Sequence, residues 1–158
     1  MSEIKYVNGD ATNPQGKGKK LVIHCCNNCG KWGAGFVLAL SKKWSEPEKK
    51  YKAWSKDPNP QQPFALGSIQ PVKVEDDIAV INMIGQEGIK RINDIPPIRY
   101  VAIDQCLKKV ADLAKKYDAT VHCPKFGSGL AGGEWEYIEV IIKKRLCDED
   151  VEVTIYEF

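Results

Sequence analysis

Apolar residues run in short bursts along this chain, and the spacing within each burst changes from one to the next. Leu21, Val22 and Ile23 form an unbroken run between lysines, the pattern of a strand covered on both faces. Residues 4–7 read as an earlier strand that ends where Asn8-Gly9 demands a turn. After the Leu21 run, Phe36, Val37, Leu40 and Trp44 recur at helical spacing. Lysines alternate with Glu46 and Glu48 around the same element, as on a solvated helix surface. The helical stretch stops after Trp54, because SKDPNPQQP packs in prolines that no helix accommodates.

Residues 67–74 and 78–84 read as two strands joined by the acidic turn Glu75-Asp76-Asp77, with Pro71 placing the first of them at a sheet edge. Residues 85–97 are long and irregular, suited to fold over a site. Tyr100, Ile103, Leu107, Val110, Leu113, Ala114 and Tyr117 keep strict helical spacing, and their face is core. A buried strand at 119–123, a glycine-rich loop at 124–133, a helix from Glu134 through Leu146 and a strand at 151–158 complete the pattern. This alternation predicts an α/β fold around a mixed, mostly parallel sheet of about six strands.

Composition narrows the function. A chain of 158 residues with 43% hydrophobic residues can fill one core, so a single domain over 1–158 is expected. Lys+Arg of 23 against Asp+Glu of 21 leaves a formal net charge of +2, too weak for nucleic-acid binding by bulk electrostatics. Any anion must be held by local geometry. No apolar run approaches the ~20 residues that span a bilayer, and MSEIKYVNGD lacks the layout of a signal peptide. A cytoplasmic protein without a membrane partner is expected. Its cysteines then read as reduced and mostly buried. Cys26 and Cys29 form a C-x-x-C with no second pair, and packing outweighs zinc or redox chemistry there, so neither metal nor cofactor is expected.

The candidate chemistry lies in two glycine-rich turns. Gly33 and Gly35 sit where a helix should begin, and Gly127, Gly129, Gly132 and Gly133 precede another. A strand that feeds glycines into a helix presents unpaired N–H groups and a positive dipole end, a natural seat for phosphate. Two such loops facing each other suit two linked phosphates. Neither matches the dinucleotide fingerprint or the P-loop, so pattern alone stops at a phosphate-bearing nucleotide.

Four stretches in order carry a resemblance: Gly9-Asp10-Ala11-Thr12; Ile23-His24-Cys25-Cys26-Asn27 leading to Trp32-Gly33-Ala34-Gly35; Asn82-Met83-Ile84-Gly85-Gln86; and Pro124-Lys125-Phe126-Gly127-Ser128-Gly129-Leu130-Ala131-Gly132-Gly133. The chain resembles the macrodomain family, the ADP-ribose-binding three-layer α/β/α modules, over nearly its whole length. It looks most like the branch containing terminal ADP-ribose protein glycohydrolases and ADP-ribose 1''-phosphate phosphatases. The resemblance implies that Asp10, followed by Ala11, accepts from the adenine amino group. It implies a first diphosphate loop of Gly33, Ala34, Gly35 and Phe36, and a second of Phe126, Gly127, Ser128, Gly129, Leu130 and Ala131. Asn27 then falls at the distal ribose, and Tyr156 and Phe158 lie where such proteins pack the adenine, with plain core packing an equal alternative.

The lysine and aspartate that serve the glycohydrolases of this branch correspond here to Gln86 and Ala131. Neither supplies a nucleophile or a base. Lys90, Arg91 and Lys125 lie nearby in sequence without matching that role. His24 matches a histidine of the phosphatase members and is the candidate proton relay, with Asn27, and more weakly Asp94, orienting water. A lone histidine in an apolar strand is also the ordinary pattern of a core residue, and His122 reads that way. The leading expectation is an ADP-ribose-recognising hydrolase acting at the distal ribose on ADP-ribose derivatives or ADP-ribosylated macromolecules, as a monomer. The alternatives are a reader that binds without turnover and, least favoured by charge, a nucleic-acid-binding lysine-rich helix.

Overall fold

The computed structural model describes residues 3–129 and 131–157. In chain order the elements are β1 (Lys5–Asn8), β2 (Lys20–Asn27), α1 (Phe36–Lys43), α2 (Glu46–Lys56), β3 (Ile69–Glu75), β4 (Ile78–Gln86), α3 (Tyr100–Tyr117), β5 (Thr120–Cys123), α4 (Trp135–Arg145), a 3-10 turn at Cys147–Glu149, and β6 (Val153–Glu157). The strands form one six-stranded sheet in the order β1-β6-β5-β2-β4-β3. Every pairing is parallel except β3 with β4. Pro71 lies on β3 at the edge, where its missing N–H breaks no second ladder.

β2 sits inside the sheet, paired with β4 on one side and β5 on the other. Alternation sends Leu21 and Ile23 to one face, where they join Ile81, Met83, Val121 and Ile155 under α3 and α4. It sends Val22 and Cys26 to the other face, with Val80 and Ile84 under α1, α2, Trp32, Trp44, Tyr51 and Trp54. Helices on both faces of a mostly parallel sheet give the three-layer α/β/α architecture. Toward β5 and β6 the second face is covered instead by the loop between β1 and β2, whose Gln15 bonds Tyr156.

The helical stretch up to Trp54 is broken in two. Trp44 is extended at φ −138° and ψ 130°, and α2 restarts after Ser45. The cause is local: Pro47 has no N–H to donate back to Lys43, and its ring would clash with that carbonyl in a continuous helix, whereas in a first turn it costs nothing. The irregular segment after β4 is pinned at its base, where Arg99 N–H donates to the Gly85 carbonyl and Glu87 N–H to that of Pro97. Its tip is a tight turn with Asn93 and Asp94 at positive φ. Among the described residues no helix is long and apolar enough to cross a membrane.

Core and surface positions should separate cleanly in denaturant unfolding. Ile81 has no exposure, and Ile81→Ala is expected to cost about 3 kcal/mol through lost burial and a residual cavity. Val101 is 74% exposed. Val101→Ala should stay within about 0.5 kcal/mol of the wild type.

Candidate functional site

Parallel strands deliver their carboxyl ends to one side of the sheet, and both glycine loops leave from there: the first after β2, the second after β5. Between them lies a cleft of about 290 Å³. Ala34, Gly35, Phe36 and Val37 form one wall, Phe126, Gly127, Gly129 and Ala131 the other, and His24, Cys25 and Gln86 reach its floor. A larger apolar groove of about 350 Å³, lined by Leu21, Ile78, Leu113 and Tyr117, lies at the amino ends of β2 and β4, on the wrong side of the sheet for this class of site.

Glycine shapes both walls. Gly35 precedes α1 at φ 85°, a conformation that L side chains rarely adopt, and it brings no capping side chain to the helix start. Leu38 N–H donates to the Gly35 carbonyl, which leaves the Phe36 and Val37 N–H groups of the first turn for a ligand. Gly133 is required for a different reason: a Cβ there would stand 2.4 Å from the Gly127 carbonyl oxygen, which accepts from Gly133 N–H. Among the described residues, the N–H groups of Ala34 to Val37 and of Gly127 to Gly129 find no carbonyl partner in the chain. Two runs of unpaired donors therefore line one cleft.

Formal charge contributes little. Lys125 is the charged side chain lining the cleft, and its Nζ lies 2.5 Å from Glu157 Oε1. His24 is 2% exposed, and its ring packs edge-on against Trp32 with centroids 5.4 Å apart. Its Nε2–H donates to Asn82 Oδ1 at 2.6 Å, and the Asn82 amide donates in turn to the Pro47 carbonyl and to Gln70 Oε1. Burial pushes the imidazole down to about 4, against the partial support of Asn82. At neutral pH His24 is an uncharged ring tying β2 to β4, with the Cys26 thiol 3.9 Å from its Nδ1. Burial likewise pushes the Cys25 thiol well above its ordinary range, so it is no nucleophile.

The structure brings together His24, Ala34, Gly35, Phe36, Phe126, Gly127, Gly129 and Ala131 around the cleft. It turns Asn27 elsewhere: Oδ1 accepts from the Tyr51 hydroxyl at 2.6 Å and from Cys29 N–H at 3.0 Å, and Nδ2 donates to the Lys31 carbonyl at 2.6 Å. That amide holds the turn which presents Gly33 and Gly35. Gly33, at φ 82°, and Ser128, whose hydroxyl donates to the Lys125 carbonyl, shape the loops from outside the cleft lining. Asp10, Ala11 and Tyr156 lie away from it as well. Asp10 Oδ1 accepts from Thr12 N–H and hydroxyl at 2.8 Å each, Ala11 is buried, and Tyr156 is packed against His122. Leu130 and Phe158 lie outside the described residues. Cys25, Val37 and Pro124 join the lining without having been assigned to the site; Cys25 and Pro124 lie inside the motifs that carry the resemblance and Val37 directly follows Phe36, the one signal by which sequence could have found them.

The arrangement defines a class: an α/β/α module that offers backbone donors to an anionic ligand at the carboxyl ends of its strands. No protein-family model matches the chain. A solved macrodomain protein from Streptomyces coelicolor superposes with a TM-score of 0.87 at 47% identity, over 99% of either chain. A Bacteroides thetaiotaomicron protein of unknown function superposes at 0.95 with 51% identity, over 99% of this chain and 98% of that one. The chain belongs to the macrodomain family. Among curated relatives, chromodomain-helicase-DNA-binding protein 1-like of Mus musculus is 30% identical over 99% of this chain, which spans only 18% of that protein's length. An ADP-ribose 1''-phosphate phosphatase of Lodderomyces elongisporus is 26% identical, with 89% of this chain aligned to 91% of that protein.

The two buried histidines set an acid limit on stability. Burial pushes His122, like His24, down to about 4, while the unfolded chain binds those protons near 6.5. Between these values the unfolded state carries more protons, so stability is full above 6.5 and falls as the pH drops toward 4. The loss should be on the order of 3 kcal/mol for each ring. Asp104 adds its own loss only lower down, because the Arg145 guanidinium holds its carboxyl below the usual carboxylate range. Denaturant midpoints at pH 7, 5.5 and 4.5 check the curve, which His122→Asn should flatten by about half of the histidine-linked share.

Proposed function

We propose that the cleft binds ADP-ribose with its diphosphate between the two glycine loops, and that the protein hydrolyses a bond at the distal ribose. The observation that carries this reading is the pair of unpaired N–H runs on the lining of one cleft, which offers a diphosphate two sets of backbone donors. Asp10 sits at the far end of β1, where a carboxylate can accept from the exocyclic amine of adenine while Thr12 steadies its other oxygen. The phosphatase similarity makes ADP-ribose 1''-phosphate the first substrate to test. Its hydrolysis adds water at phosphorus and releases the 1''-hydroxyl and phosphate; His24, whose neutral ring lines the cleft, is the candidate base. In this reading the protein works as a single cytoplasmic domain, without a partner chain.

One observation favours a second reading, binding without turnover. The cleft offers no free ionisable group at neutral pH: Lys125 is paired, His24 is buried and uncharged, and Gln86 and Ala131 stand where glycohydrolases carry lysine and aspartate. A reader of ADP-ribosylated macromolecules needs nothing more than this geometry.

Calorimetry should show ADP-ribose binding by the wild type and a loss of roughly 1 to 3 kcal/mol in Asp10→Ala, for one charge-assisted hydrogen bond. The same preparations should release phosphate from ADP-ribose 1''-phosphate or ADP-ribose from a modified protein. Binding with turnover of neither substrate selects the reader. No binding at all would overturn both readings.

A further inference from the structure

The loop between β1 and β2 carries Asp10 but little that packs. From Asn13 to Lys19 it reads Asn-Pro-Gln-Gly-Lys-Gly-Lys, with no apolar side chain besides Pro14. Beneath it lies a polar cleft of about 470 Å³ rather than an apolar layer, lined by Gln15, Lys17, Thr120, His122 and Thr154 among others. Hydrophobic contact therefore does not fix the loop's height above the sheet.

The carbonyl of Lys19, at the loop's end, accepts from Thr120 N–H at 3.0 Å, and among the described residues one hydrogen bond joins residues 13–17 to the sheet: Gln15 N–H donates to the Tyr156 hydroxyl at 2.8 Å. The bonds of Asn13 and Thr12 are local, both ending on Asp10. Tyr156 and Gln15 also meet beside the ligand-facing residue. A Cβ added to Gly9, directly before Asp10, would lie 3.5 Å from Tyr156 Cδ2 and 3.6 Å from Gln15 Nε2.

The Tyr156 hydroxyl is itself held. Its oxygen accepts from Gln15, and its hydrogen goes to His122 Nδ1 at 2.8 Å, while His122 Nε2–H donates to Thr120 Oγ1 at 2.7 Å. This direction uses every donor in the chain once; the opposite tautomer leaves the hydroxyl accepting twice with its own hydrogen unpartnered. An imidazole offers one acceptor and one donor on opposite sides of the ring, which no aliphatic core residue does. At 2% exposure the ring stays neutral and keeps both roles.

We propose that His122 is a positioning residue for ligand recognition: through Tyr156 it pins the Asp10-bearing loop to the sheet and so fixes where the carboxylate stands at the end of β1. The inference rests on the reading of that cleft as an ADP-ribose site. His122 itself lies outside the cleft lining, one shell behind Tyr156.

The test compares Tyr156→Phe, His122→Leu and His122→Asn by amide hydrogen exchange and by ADP-ribose calorimetry. Tyr156→Phe keeps the ring and loses the pin; His122→Leu strands the hydroxyl; His122→Asn retains an acceptor near the Nδ1 position. In the first two, exchange at Gln15 and its loop neighbours should speed up by about tenfold or more while the β2 amides keep their protection. ADP-ribose should bind them about five- to tenfold more weakly, the worth of one neutral hydrogen bond. His122→Asn should recover to within about twofold of the wild type, which a purely space-filling role would not produce. Unchanged loop exchange, or faster exchange with unchanged affinity, overturns the proposal while the wild type still binds. Failure of the wild type to bind ADP-ribose is a separate result, which removes the functional reading and the ligand half of this inference with it.

Discussion

β2 is paired on both edges and covered on both faces, and this double burial constrains everything near it. Every polar group the strand carries must find a partner inside the protein. His24 finds Asn82, and Asn27 finds Tyr51, Cys29 and Lys31. Those bonds fix where the strand ends and how the chain leaves it. Because the leaving turn is fixed, Gly35 meets the start of α1 on the same cleft as the second glycine loop after β5. Among the described residues no buried side-chain nitrogen or oxygen lacks a partner, so the polar groups here stiffen the scaffold.

A site made of backbone explains why the composition is so uninformative. Unpaired N–H groups at a helix start attract an anion through local geometry, without a surplus of basic residues. The net charge of +2 and the Lys125–Glu157 pair are what such a site permits. The same economy sharpens the question of catalysis. A hydrolase needs a group that changes protonation or directs water, and His24, the residue proposed for it, is held neutral by burial and bonded to Asn82.

Much of the fold was legible because periodicity reports burial directly. The apolar run of β2, the long amphipathic α3 and the edge position of Pro71 all follow from spacing and from the missing proline N–H. The two glycine loops were legible for the same reason, since strand, glycine and helix succeed one another in the chain. The break at Trp44 required weighing Pro47 against a helical pattern that runs past it. The partners of Asn27 and Tyr156 were hidden more deeply. Tyr51 lies 24 residues beyond Asn27, and His122 lies 34 residues before Tyr156, so no local pattern shows that these side chains serve the loops. Residues of both glycine loops named from the macrodomain resemblance line one cleft at the strand ends, while the internal bonds that hold its walls became visible only in three dimensions.

The account stands on backbone recognition, and amide chemical-shift mapping during an ADP-ribose titration tests that most directly. Saturable shifts should concentrate at residues 34–37 and 127–129, with a second group around Asp10. Binding that saturates with its shifts elsewhere, for instance around Leu113 and Tyr117 at the opposite groove, would contradict it.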